Sequence, residues 1–421
     1  MTAPETALPP ARVLRWKIAI FAIFLTSGLS IATWASRVPA IKDALGVDNI
    51  GVGALLMGAG VASILGLSLS TPVLARFGAR RGMLASMFVF ALGVLLIGIG
   101  TDVLASFPLV LVGLILFGLG NGSLDVMMNV EGTAIEQLQS KTILPLFHAF
   151  FSFGTVIGAA IGTVAVSWGV DVLWHTAFIA VLIAAIAIAA IANVPRRATV
   201  DPDPAEHGRG WRERLMASLE VWREPRTYAL GVIMLGMAFA EGAANDWLAL
   251  GIVEGHGGDE ALGAAGLTVF SVAMTVVRVF GGPLVDRVGR VTVLRVLSAT
   301  AAVGLLLFIL APNLPLVLVG AALWGVGASL GFPLGMSAAA DDPARAAARV
   351  SAAATIGYVA FLAGPPVLGA ISEAIGLLNT LWIIVALTVA SGLASGAARP
   401  LSSDPSAPGV ADGPAGDVTR R

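Results

Sequence analysis

The chain has no cysteine, three lysines, two tyrosines and four histidines, and only 12% of its 421 residues are charged. Without cysteine there is no disulfide, thiolate zinc site or cysteine nucleophile. Of the four histidines, His175, His207 and His256 fall in expected loops or span ends, which argues against a histidine metal centre. The charged fraction is about half that of a soluble globular chain. A formal net charge of −1 offers no basic face to nucleic acid. No GK[ST] phosphate loop occurs, and GLGNG at 118–122 lies in an apolar run with no preceding strand, so an ATP-driven pump is disfavoured. What is abundant is hydrocarbon: 57% of residues are hydrophobic and mean hydropathy is +0.90. The dominance of arginine over lysine, with much Ala, Gly and Val, points to GC-rich bacterial coding.

A bilayer core takes about 20 apolar residues per helix. The chain offers twelve such spans: 16–36, 51–71, 82–101, 107–130, 145–168, 173–194, 228–250, 262–284, 291–311, 315–338, 350–373 and 377–397. Residues 195–227 are expected to be a cytoplasmic linker with a short amphipathic helix. Residues 1–13 and 399–421 read as disordered cytoplasmic tails. With both termini inside, the inner segments hold 22 of the 25 basic residues; the outer loops hold Arg37 and Lys42, and Arg278 lies within a span. The positive-inside rule therefore fixes that orientation, in a bacterial cytoplasmic membrane. Thr33-Trp34-Ala35 mimics a signal-peptide cleavage site, but the first span has a later counterpart and is expected to be retained.

That counterpart follows from internal repetition. PLVLVG at 108–113 recurs at 315–320, 207 residues on. LARFGARR (74–81) is answered by LVDRVGRV (284–291), with Gly78 and Gly289 at an offset of 211, and Trp34 by Trp247 at 213. Three concordant offsets make spans 1–6 and 7–12 copies. The expected fold is an all-α polytopic membrane protein, its halves at 14–194 and 228–398 being parallel six-helix pseudo-repeats. The turn motifs carry a resemblance to the major facilitator superfamily, whose G-x-x-x-D-R-x-G-R-R sequence joins helices 2 and 3 and often 8 and 9. The second copy here keeps Gly282, Asp286, Arg287, Gly289 and Arg290; the first has Thr71 and Ala75 but retains Arg76, Gly78, Arg80 and Arg81. The resemblance implies secondary transport by rocking halves, with these turns latching the cytoplasmic side. A solvated basic turn is the plainer reading, and for 71–81 it serves at least as well.

Polar groups within spans are expensive unless used or paired. Asn121, Asp125 and Asn129 are spaced by four and form one stripe on span 4. Span 7 carries Glu241, Asn245, Asp246 and Trp247, and span 1 ends in Trp34 and Arg37. Asp125 and His148 stand at similar distances from the turn near residue 137, so the pair is expected side by side at one depth. Burial disfavours the charged form of either group, which suits proton coupling; a helix-hairpin hydrogen bond is the structural alternative. Asp125 aligns with Phe332 and Asn121 with Ala328, so the stripe is absent from the second repeat. Arg278 either snorkels or pairs with an acid of the other half such as Asp125. Arg37 reads as an interface anchor rather than a gate. Glycines 154, 158 and 162 form a ladder for close helix packing.

Span 4 resembles the fucose-permease branch of that superfamily, in which an acidic residue is followed four later by asparagine, as Asp125 is by Asn129. The resemblance makes Asp125 the proton-coupled group. The branch's helix-1 aspartate is missing, since residues 14–42 contain no acid. FHAFFSFG and EGAANDWLAL look closer to bacterial relatives of that branch without an assigned substrate. The sequence thus predicts a transporter, not an enzyme, acting as a monomer without cofactor. The proton gradient is its energy source, and protons and a small hydroxylated solute are its partners. Asn121, Asn129, Glu241, Asn245, Asp246, Trp247 and Trp34 are expected to line the solute cavity. Antiport of an amphipathic compound is the alternative, which the absence of a glycine-proline pair on span 5 disfavours. A non-transporting sensor or intramembrane enzyme is the remote one.

Overall fold

A computed structural model describes residues 9–139, 143–195, 220–342 and 345–401, and over these it is helical without a strand. Eleven helices are long and apolar enough to cross a membrane, and one of them, Asn49–Val103, supplies two crossings. Its main part, Asn49–Gly98, would measure about 75 Å if straight, more than twice a bilayer core. Gly78 interrupts it with φ 74° and ψ 160°, a backbone conformation that a side chain would strain. Span 4, Phe107–Gln139, then packs against both sides of the break: Gly118 abuts the Ala59 carbonyl and Gly113 that of Gly93. The twelve expected crossings are present, so the chain ends lie on one face, here called the terminal face. The opposite face is the distal one.

Boundaries moved at a few places. Span 1 is Pro10–Ala35, starting inside the expected tail because Pro10 occupies the first helical position, where its missing N–H is not needed. Most of the expected tails and of the linker's amphipathic helix lies outside the described residues; the linker's end forms a 3₁₀ turn, Val221–Arg223. Span 7, Pro225–Ala243, continues through two π-helical turns, Ala244–Leu248 and Gly251–Gly255. Span 10 is broken in two, Leu314–Ala328 and Gly331–Ala339.

The repetition read from sequence extends to backbone detail. Among the described residues six glycines have positive φ: Gly46, Gly78, Gly169, Gly257, Gly289 and Gly376. They pair as Gly46 with Gly257, Gly78 with Gly289 and Gly169 with Gly376, at the same offsets of 211 or 207. Asp48 caps the helix after it by accepting from the Gly51 N–H at 2.8 Å, and Asp259 does the same for Leu262 at 2.7 Å. Spans 5 (Leu144–Ser167) and 1 meet through the glycine ladder, where a methyl on Gly154 would strike the Leu25 carbonyl and one on Gly158 the Leu29 carbonyl.

Candidate transport site

The halves meet along spans 5 and 8 (Glu260–Phe280) and along spans 2 and 11 (Ala346–Ile375). At the distal face Lys42 is ion-paired with Glu254, and the Asn49 amide donates to Glu373 at 2.5 Å. Lys42 also donates to the Asn49 side chain at 2.7 Å. Just below, Gly53 lies against the Pro365 carbonyl. Deeper, the Thr163 and Thr268 hydroxyls are 3.0 Å apart, and Thr275 donates to the Ser152 carbonyl at 3.2 Å. The Lys42, Asn49, Gly53 and Thr163 contacts bolt the distal side, whereas Thr275 joins Ser152 past mid-span, nearer the terminal face. Lys42, Asn49, Glu254 and Glu373 were not singled out from sequence, because loop charges there look like ordinary solvated groups.

On span 4 the expected stripe is present and half-buried. Asn121 accepts from Ser27 of span 1 at 2.6 Å. Asn129 donates to the Asp125 carbonyl at 2.8 Å and reaches its carboxylate at 3.4 Å. Asp125 thus has an amide from its own helix and no basic partner among the described residues. The expected pairing with His148 is not formed. Span 5 packs on span 1 rather than on span 4, and His148, exposed, lies edge-on to Phe24 with ring centroids 5.3 Å apart. His148 instead shares a face with Ser152, one turn on, which looks toward span 8.

Arg278 differs from both readings of it. It neither snorkels nor reaches Asp125; it pairs with Glu241 of its own half at 2.6 Å. Its Nε donates to the Ser329 carbonyl at 2.9 Å, and its Nη1 approaches the Ser152 hydroxyl across the halves at 3.4 Å. The Ser329 carbonyl is available for a stated reason. Pro333, four residues later, has no N–H to give it, and span 10 is interrupted there. The sequence signal was therefore GFPLG at 331–335, a glycine and a proline within an apolar run. Trp324 holds the neighbouring turn of span 7 by donating to the Ala240 carbonyl at 2.9 Å.

Asn245 and Asp246 are half-buried on the first π-helical turn of span 7, a deformation common at functional sites. Trp247 and Trp34 are corrections. Trp247 is wholly buried in helix contacts, and Trp34, 6% exposed and packed on Phe117, borders only a small apolar cavity with Val38, Ile41, Val52, Leu55, Leu56 and Leu114, away from the polar stripe. Arg37 is buried rather than interfacial. It donates to His175 at 3.2 Å and to the Val170 and Asp171 carbonyls, pinning span 1 to the turn before span 6 (Val172–Ile191).

On the terminal face, Gly78 and Gly289 make the two tight turns. Arg76, Arg81, Asp286 and Arg287 are exposed, Arg80 is half-buried, and Gly282 has open space beside it. Arg290 is engaged, with Asp341 and the Ala398 carbonyl. Around it the second half is knotted by Arg226–Asp341 at 2.9 Å, Arg349–Glu224 at 2.6 Å and Arg345–Glu224 at 2.7 Å. Arg349 holds the Glu224 carboxyl below the usual carboxylate range.

Two six-span halves enclosing a partly exposed polar interior define a polytopic membrane transporter. The sequence matches the profile of the Major Facilitator Superfamily over residues 19–365 and again over 247–416, and the chain belongs to that family. It is 31% identical over 360 residues to the uncharacterized transporter y4wD of Sinorhizobium fredii, covering 85% of this chain and 91% of that protein. Among solved structures it resembles the nucleoside transporter NupG, with a TM-score of 0.73, 14% identity, and coverage of 92% of this chain and 99% of that one. It also resembles the Escherichia coli fucose:proton symporter FucP, with a TM-score of 0.63, 18% identity, and 92% and 99% coverage. At those identities the structural likeness is one of fold.

Proposed function

We propose that the protein is a proton-coupled symporter of a small hydroxylated, sugar-like solute. It works by alternating access in the bacterial cytoplasmic membrane, with both chain ends in the cytoplasm. The observation that carries this is Asp125: an acid on a half-buried amide stripe, in the half that gives it no cation. Without a fixed counter-charge it can take up and lose a proton as the cavity opens to either side. The amides of Asn121, Asn129 and Asn245 supply donors and acceptors suited to hydroxyl groups. The bolted distal side supports a carrier resting open toward the terminal face, and a fucose:proton symporter among the structural relatives is consistent with the solute class.

Asp125→Asn in membrane vesicles with an imposed proton gradient tests this. Proton-driven accumulation should be lost while counterflow continues. Accumulation that survives intact removes Asp125 from coupling, and gradient-driven extrusion would favour the antiport alternative.

A further inference from the structure

We infer that Arg278 is the docking point for an acidic group on the solute, and that Glu241 occupies that point while the carrier is empty. The inference rests on the reading above that the central cavity binds a solute, and it narrows that solute to an acid. Arg278 is held for such a task. Its Nε is fixed by the Ser329 carbonyl at 2.9 Å, a group freed by the break in span 10. One terminal nitrogen, Nη2, binds Glu241 at 2.6 Å. The other, Nη1, has only the Ser152 hydroxyl at 3.4 Å, a long contact that belongs to the opposite half. A guanidinium offers five donors in a planar fork that matches a carboxylate, and here that fork is under-used.

Exposure agrees. The Arg278 and Glu241 side chains keep 18% and 17% of their surface accessible, so neither is sealed in the packing. The remaining ion pairs among the described residues lie in loops or near helix ends at the two faces. A solute acid and Glu241 would compete for one fork. Binding there would also place the solute against Ser152, and so report occupancy across the interface between the halves. Charge balance is consistent with the coupling proposed above: an anion at Arg278 entering with a proton at Asp125 leaves the net charge of the cavity unchanged.

The test is equilibrium binding by calorimetry to the purified full-length protein. Glucose is compared with glucuronate, which carries a carboxylate at C6, and with glucosamine, which carries an amine at C2. Glucuronate should bind, with glucose weaker by at least about tenfold. Glu241→Gln should tighten glucuronate by about tenfold by removing the competitor. Arg278→Gln should weaken it by at least about 30-fold, the low end of what losing a desolvated charge partner costs. Because that change alone strands Glu241, the double variant Arg278→Gln/Glu241→Gln is measured beside it and should be equally weak. Arg278→Lys, with charge but no fork, should fall between. Glucose or glucosamine binding as well as glucuronate, no glucuronate binding to the native protein, or tighter binding lost rather than gained in Glu241→Gln overturns the inference. Acid-selective binding without proton-driven uptake would instead sink the coupling reading and leave this one standing.

Discussion

The two halves share a backbone plan and differ in how they treat charge. In the first half the interior acid Asp125 has only an amide beside it, and its turns on the terminal face carry exposed arginines. In the second half one interior acid, Glu241, is matched by Arg278, and the terminal face is tied by five arginines, Arg226, Arg290, Arg295, Arg345 and Arg349, to carboxylates, carbonyls and a serine. The first copy leaves its stripe acid without a cation; the second pairs Glu241 with Arg278 but leaves Asp246, on the π-helical turn, without a basic partner among the described residues. Gly28 shows how the divergence arose locally. It aligns with Glu241, and in span 1 that position is pressed against the Phe151 backbone of span 5, leaving no room for a side chain.

The contrast can be broken in order of expected effect. Arg278→Gln alone should cost roughly 3–5 kcal/mol in thermal unfolding of the detergent-solubilised protein, toward the lower end because the pair is partly exposed; Glu241→Gln added to it should restore much of that. Asp125→Asn, by contrast, should leave stability nearly unchanged. Equal losses from Arg278→Gln and Asp125→Asn would dissolve the distinction between a paired and an unpaired interior charge. Next, Gly154→Val should cost about 1–3 kcal/mol by overpacking spans 1 and 5, whereas Gly282→Ala, which meets open space, should be neutral in the same melting assay.

Much of this was legible in the sequence, and the exceptions share a cause. Span number, the repeat offsets and the Asp125 stripe follow from composition and periodicity, which the chain displays residue by residue. The surroundings of His148 did not, because spans consecutive in the chain need not pack together. Span 5 lies on span 1, so depth alone matched Asp125 to the wrong helix. The free Ser329 carbonyl is implied by Pro333, which lacks the N–H that would bond four residues upstream. The distal bolts were not recoverable, since Lys42 and Glu254 are 212 residues apart and meet only through the assembled halves.

The knot on the terminal face sharpens the comparison at smaller scale. Glu224 is held ionised below its ordinary range by Arg349. Its contribution is therefore present above about pH 4.3, the value for a free glutamate, and is lost as pH falls through the lowered folded value. At this solvent-facing site the effect should be about 1 kcal/mol or less, read as a smaller acid sensitivity of melting in Glu224→Gln. Of like size is the test of sameness: Asp48→Ala and Asp259→Ala each remove one helix cap and should cost about 1 kcal/mol apiece. Unequal losses would show that the turns have diverged as the interiors have.

The paired left-handed glycines bear on ancestry. Turns that recur at matching offsets, while Asp125 and Arg278 have no equivalents across the repeat, are what a doubled gene leaves when selection keeps its joints and rewrites its cargo hold. A modern first half, cut at the linker and made twice over, would then keep matching corners but have no counterpart of the Arg278–Glu241 pair inside. Such a homodimer of six-span pieces would preserve the mechanics of the ancestor and lose the chemistry that came from letting its copies grow apart.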